Sequence, residues 1–255
     1  SNAPVVGSNS NPISETLINT TNAPIDVDYV ITPSILGCPG TPFTFTVTVD
    51  PTPAINNFAE TICDDGSFSV TPVNVGDGIV PAGTTYSWGA PVVTGGITGG
   101  VGAAGQASIS GTLSNPTNSV QTATYTVTPL AGSCTGATFE VVVTVDPTPA
   151  INNQTETICD DGTFTNTPAN GPDGIVPAGT TYSWGAPTVT GGITGGAAGA
   201  GQPNISGTLS NPGNTVATAT YTVTPVSGSC TGNSFTITVT VNPTPDINAM
   251  STTTC

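Results

Sequence analysis

Residues 121–145 read QTATYTVTPLAGSCTGATFEVVVTV, and their reading decides the fold. From Gln121 to Thr128 polar and apolar side chains alternate, which places Ala123, Tyr125 and Val127 on one face and threonines on the other. A period of two is that of an extended strand with one face buried. Residues 130–136, with Gly132 and Gly136, predict a hairpin loop. Alternation resumes over Phe139–Val145, with Phe139, Val141, Val143 and Val145 facing inward. Such a pair leaves one apolar face that a second layer must cover.

Upstream the same signals continue. Residues 54–62 predict a first strand, 67–71 a short second one, and 84–88 a third in which Tyr86 and Trp88 share a face. Trp88 is expected at the centre of the core. Residues 91–94 and 108–113 predict further strands, while the Gly/Ala-rich stretch 95–105 has few side chains to pack and reads as a surface loop. About seven strands with turn signals between them, and no helical periodicity, describe an all-β, immunoglobulin-like sandwich.

This unit is copied in tandem. Cys38, Cys134 and Cys230 form one series and Cys63, Cys159 and Cys255 another, each spaced by 96 residues without insertion or deletion. Pro51-Thr52-Pro53 returns as Pro147-Thr148-Pro149 and Pro243-Thr244-Pro245, Trp88 as Trp184, and Tyr29 as Tyr125 and Tyr221. A period this long is a whole small domain rather than a solenoid turn. The expected division is 1–50, the C-terminal part of a repeat (with 1–3 read as the remnant of a tag); 51–146 and 147–242, two full repeats; and 243–255, the start of another. The sequence thus opens in mid-repeat. Two prolines in three residues at each junction predict an extended, semi-rigid connector, so the repeats are expected to form an elongated rod.

Composition excludes more than any motif supports. The chain has no Lys, Arg or His against fifteen Asp and Glu, a net charge of −15. Nucleic acid and anionic lipid are not expected as partners, because phosphate recognition needs cationic side chains. No apolar run of about 18 residues is present to span a membrane. Without His or Lys neither a Ser-His or Cys-His arrangement nor a Schiff-base lysine can be built, so an enzyme is not expected.

The remaining candidates are carboxylates and thiols. Asp64-Asp65-Gly66 and Asp160-Asp161-Gly162, with Asp77 and Asp173, are the local acidic concentrations. Oxygen ligands on loops suit calcium, although Asp-Gly is also ordinary turn chemistry. No other cofactor is expected. Asp64 with Asp77 is the one pair to weigh for glycoside hydrolysis, which demands a fixed carboxylate separation. Asn19, Asn153 and Asn204 occupy Asn-x-Ser/Thr sequons that do not recur at matching repeat positions.

Paired cysteines at these spacings read as disulfides of a secreted chain. Two schemes are open. Pairing across each junction joins Cys38–Cys63, Cys134–Cys159 and Cys230–Cys255; pairing within a repeat joins Cys63–Cys134 and Cys159–Cys230. In an immunoglobulin topology the two thiol positions lie at opposite ends of the sandwich, beyond the roughly 4.4–6.8 Å that a bridge tolerates between α-carbons. The junction scheme is therefore preferred.

The combined phrases Val-Pro-Ala-Gly-Thr-Thr-Tyr-Ser-Trp at 80–88, Ser-Cys-Thr-Gly at 133–136 and Val-Asp-Pro-Thr-Pro at 145–149 resemble the PKD-like, immunoglobulin-like repeats of very large secreted surface proteins of Bacteroidetes, gliding adhesins among them. The resemblance spans residues 4–255. It implies export, many tandem β-domains, and a structural or adhesive role as a stalk or filament, with neighbouring repeats and a surface or glycan target as partners. The competing expectation is a carbohydrate-binding module array, which needs exposed aromatic platforms; Phe58 is the aromatic to check.

Overall fold

A computed structural model describes residues 13–245. Among the described residues every regular element is a β-strand. In the repeat 51–146 a large sheet carries, in spatial order, Ala103–Gln106, Thr85–Trp88, Gln121–Ala131, Phe139–Asp146 and Phe58–Cys63. Gly66–Val70 pairs with Ile109–Leu113 in a second sheet on the other side of the core. The repeat 147–242 reproduces this with Gly199–Gln202, Thr181–Trp184, Ala217–Ser227, Phe235–Asn242 and Gln154–Cys159, faced by Gly162–Asn166, Ile205–Ser210 and Thr194–Gly195.

The alternation read in the sequence drives the packing. Ala123, Val127, Val141, Val143 and Val145 are fully buried, and Tyr125 and Phe139 nearly so. They join Phe68, Val70, Tyr86, Ile109 and Leu113 in one hydrophobic cluster, and the equivalent residues of 147–242 make a second, separate cluster, except that Val70 is replaced by Asn166, whose Nδ2 donates to Glu156 Oε1. Burying a side chain of this size contributes about 1.5–3 kcal/mol each. Aromatic contacts tie the two layers together and brace the large sheet: Phe68 lies 5.3 Å from Tyr125 across the core, and Tyr86 6.1 Å from Phe139 within the large sheet, centroid to centroid.

Three local expectations change. The strand foreseen at 54–62 breaks into Ala54–Ile55, which pairs with Gly78–Ile79, and Phe58–Cys63, which crosses to the edge of the large sheet. Asn56 and Asn57 make the switch: Asn56 N–H donates to the Asp77 carbonyl, and Asn57 Oδ1 accepts from Glu140 N–H at 2.8 Å. The Gly/Ala-rich stretch is not a detached loop, since Ile97 is buried, Ala103–Gln106 extends the large sheet, and Trp88 Nε1 donates to the Val101 carbonyl. Trp88 therefore sits at the flank under this flap, where its N–H finds a partner, and Tyr125, Val127 and Val141 hold the centre.

The edge strand has the most consequence. Phe58–Cys63 runs parallel to Phe139–Asp146, from Val141↔Phe58 to Asp146↔Cys63. Cys63 consequently lies at the trailing end of its repeat, where the chain leaves. Cys134 lies in the hairpin before Phe139, paired with Ala131, at the leading end near the Pro53 carbonyl.

Residues 13–50 keep only part of this arrangement. Ile25–Ile31 pairs with Phe43–Val49, and their apolar face stays open, with Phe43 and Phe45 more than half exposed.

Candidate functional site

The junction between the two complete repeats is where sequence, packing and covalent chemistry converge. Cys63 is bonded to Cys230, with α-carbons 5.6 Å apart and a sequence separation of 167. This corrects both pairing schemes. Cys63 pairs with neither Cys38 nor Cys134, and Cys230 with neither Cys159 nor Cys255; Cys255 itself lies outside the described residues. Cys134–Cys159 is likewise not formed, for both thiols are free, as is Cys38.

The reason is the parallel edge strand. It carries Cys63 to the trailing end of 51–146, while Cys230, in the hairpin Val226–Thr231, stands at the leading end of 147–242, where Gly232 closes on the Pro149 carbonyl. Those two ends meet. Cys134 and Cys159 occupy the two far ends and cannot reach each other. The expected covalent splice between repeats is present, but with partners one repeat apart from those foreseen.

Packing at the junction is visible in burial differences between copies. Cys230 is 1% exposed whereas its copy Cys134 is half-buried, and Cys63 is half-buried whereas its copy Cys159 is exposed. Gly232 is buried and Gly136 only half so; Thr148 is half-buried and Thr52 exposed. Pro147 and Pro149 are both buried, so the connector is packed rather than free.

The candidate calcium ligands do not converge. Asp64 Oδ1 accepts from Ser114 Oγ at 3.0 Å and Asn115 N–H at 2.6 Å, and Asp160 does the same with Ser210 and Asn211. Asp77 Oδ2 accepts from Val73 N–H at 2.8 Å, and Asp173 from Ala169 N–H at 2.7 Å. Asp65 and Asp161 are exposed turn residues with φ of 59°. Asp64 bonds the Asp146 carbonyl at the trailing end, Asp77 bonds Asn56 at the leading end, and the strand Phe58–Cys63 lies between. At about 3.3 Å per residue they are roughly 20 Å apart. That separation also removes Asp64 and Asp77 as a hydrolytic pair, and among the described residues no three Asp, Glu or Cys group around a metal position.

A structural role that the sequence reading missed belongs to Asn115 and its copies Asn19 and Asn211. Asn115 Nδ2 donates to the carbonyls of Ser119 and Val145, at 2.8 and 2.9 Å, and Asn211 repeats both bonds. Asn19 holds Ala23 and Val49 in the same way. The 96-residue recurrence of Asn19, Asn115 and Asn211 was the available signal.

Two concavities stand out among the described residues. A shallow cleft of about 520 Å³ beside Trp184 is lined by Gly195, Gly196, Ala197, Ala198, Ser206, Gly207 and Thr208, with no titratable group. An apolar groove of about 200 Å³ lies on the open face of residues 13–50, at Ile13, Leu17, Tyr29, Ile31, Phe45 and Val47 beside Glu15. Every aromatic side chain of 51–242 is buried or half-buried, and Phe58 packs edge-on to Phe139 at 5.9 Å. Its copy is Gln154, so Phe58 is not part of a repeated platform.

The chain belongs to the PKD-like domain family, whose model matches residues 2–53, 60–149 and 156–245. No curated protein matches it. Among solved structures it is similar to the FN1–FN3 domains of chicken CNTN1 (12% identity, 85% of this chain and 76% of that one, TM-score 0.36). It is also similar to human mucin-like protocadherin EC1-2 (14% identity, 76% and 98%, TM-score 0.27). A third likeness is to an endo-fucoidan hydrolase of glycoside hydrolase family 107 (13% identity, TM-score 0.24), where the match covers 88% of this chain and about a third, 34%, of the enzyme's length.

Proposed function

We propose that these repeats are a structural and adhesive segment of a large secreted cell-surface protein, a stiff stalk or filament that holds adhesive contacts away from the cell. The units are taken as 51–146 and 147–242, flanked by parts of further repeats, and a gliding-adhesin type of parent protein is part of the proposal. The observation that carries it is the Cys63–Cys230 bond between two separately cored repeats. A disulfide there has no catalytic use and points to an oxidising exterior. Its effect is to add a second covalent tie beside the peptide chain, so that neighbouring repeats resist bending.

Buried connector prolines support the same reading. Burial of the aromatic residues weighs against the carbohydrate-module alternative, which needs flat exposed rings. The partners are the neighbouring repeats of the same chain, and the adhesion target is a surface or a glycan engaged by many weak contacts at high effective concentration. Small-angle scattering tests the stalk: each complete repeat adds about 40 Å to the maximum dimension, from strands of about ten residues plus a connector. A profile in which the two repeats lie side by side would overturn the reading.

A further inference from the structure

The bonded and unbonded cysteines of this chain occupy the same two positions of one repeat. Cys134 sits in the hairpin Gln121–Ala131/Cys134–Thr135 as Cys230 does in Ala217–Ser227/Cys230–Thr231, and Cys159 ends its edge strand beside Asn242 as Cys63 does beside Asp146. Asp160 N–H donates to the Asn242 carbonyl just as Asp64 N–H donates to that of Asp146, so the turn that aims the thiol is the same. The two copies differ in their neighbours. Cys63 and Cys230 face each other across a junction of complete repeats, whereas the thiols of Cys134 and Cys159 face ends where no such repeat is packed among the described residues.

We propose that Cys134 and Cys159 are the halves of two more staples of the Cys63–Cys230 kind. Cys159 bonds the hairpin cysteine of a further PKD-like repeat seated on the trailing end of 147–242. Cys134 bonds the strand-end cysteine of a complete repeat seated on the leading end of 51–146. The rule is a step of 167 residues from strand end to hairpin, so each repeat uses its two cysteines on two different neighbours and none within itself. A tandem array then becomes a continuous ladder in which every junction has both a peptide connector and a disulfide.

Formation needs an oxidant, and a small disulfide such as oxidised glutathione suffices. The Cys159 thiolate attacks one glutathione sulfur and expels a glutathione thiolate. The partner thiolate then attacks the Cys159 sulfur of the mixed disulfide and expels the second. Two protein thiols become one disulfide, and one oxidised glutathione becomes two reduced ones.

The test extends the full chain after Cys255 by a copy of residues 160–242, which completes a third repeat in register. The protein is refolded with reduced and oxidised glutathione, alkylated with iodoacetamide and digested without reduction for mass spectrometry. The expected result is two linked peptide pairs, Cys63 with Cys230 and Cys159 with the copied Cys230, while Cys134 is alkylated. The Cys63–Cys230 pair reports correct folding in the same sample. In the chain without the extension Cys159 is alkylated as well. Alkylated Cys159 in the extended chain, or Cys159 bonded to Cys134 or Cys230, would overturn the rule. The bond is read by mass and the stalk by scattering, so either can fail without the other.

Discussion

At Asn115 one buried side chain satisfies four backbone or hydroxyl groups: Nδ2 serves the carbonyls of Ser119 and Val145, and Oδ1 accepts from the N–H and hydroxyl of Thr117. Asn115→Ala leaves the Val145 carbonyl without its side-chain donor at a position 1% exposed. The expected cost is about 2–3 kcal/mol to the repeat 51–146, read as a lower urea midpoint with an unchanged slope. Tyrosines supply a pH signature. Burial pushes the hydroxyls of Tyr86, Tyr125, Tyr182 and Tyr221 above their ordinary value of 10.0, helped at Tyr86 and Tyr182 by the carboxylates of Asp77 and Asp173. The hydroxyls of Tyr125 and Tyr221 also lack any hydrogen-bond partner. A folded-state value above the unfolded one means the neutral form is favoured by folding. Stability is therefore fully present below about pH 10 and is lost as the pH rises through the folded-state values. Absorbance at 295 nm should show these four ionising later than free tyrosine and together with alkaline unfolding; simple titration near pH 10 in a folded chain would contradict the burial. Composition made the carboxylates look like ligands because it shows charge density and not direction. Asp64 and Asp77 lie 13 positions apart in sequence and at opposite ends of the fold.

Among elements, the long alternating strands were legible because each position votes for the same face, and a slip of one residue would expose Tyr125, Val127 and Val141 together. The partner of an edge strand was not legible. Residues 58–63 alternate equally well against a parallel or an antiparallel neighbour, and only tertiary packing places them parallel to Phe139–Asp146. The cysteine pairing failed for the same reason, since the direction of that strand decides which end Cys63 reaches. The strand pair Ala54–Ile55 and Gly78–Ile79 offers a test of element geometry. Gly78 has φ +115°, and a Cβ there would stand 2.1 Å from the Ala54 carbonyl oxygen, whereas Gly83 at φ +75° has nothing within 4 Å. Gly83→Ala carries only the left-handed backbone penalty of about 1–2 kcal/mol. Gly78→Ala adds a backbone collision, so its loss should be roughly 3 kcal/mol or more. Equal thermal midpoints for the two variants would mean that the pair 54–55/78–79 is not closed as described.

For the whole molecule the disulfide can act on folding or on shape, and magnitudes separate the two. A bond closing 167 residues restrains a fully unfolded chain by about 5 kcal/mol on chain-entropy reasoning. That figure applies only when both repeats unfold together. With two separate cores, one repeat can open while the other stays folded, and the bond then restrains little beyond the junction. Each repeat therefore keeps most of its stability without the bond, while the angle between repeats loses one of its two covalent constraints. The Cys63→Ser/Cys230→Ser double variant is expected to show a thermal midpoint within a few degrees of the parent. Its scattering distance distribution should nevertheless be broader, with a shorter mean end-to-end distance. Repulsion among the carboxylates of a chain with net charge −15 stretches the variant at low salt, so the contrast should grow between low salt and about 0.15 M, where the Debye length falls to about 8 Å. Identical distributions for parent and variant at the higher salt would mean that the disulfide does not constrain the angle between the repeats. A collapse of the thermal midpoint would instead show that the two repeats fold as one unit.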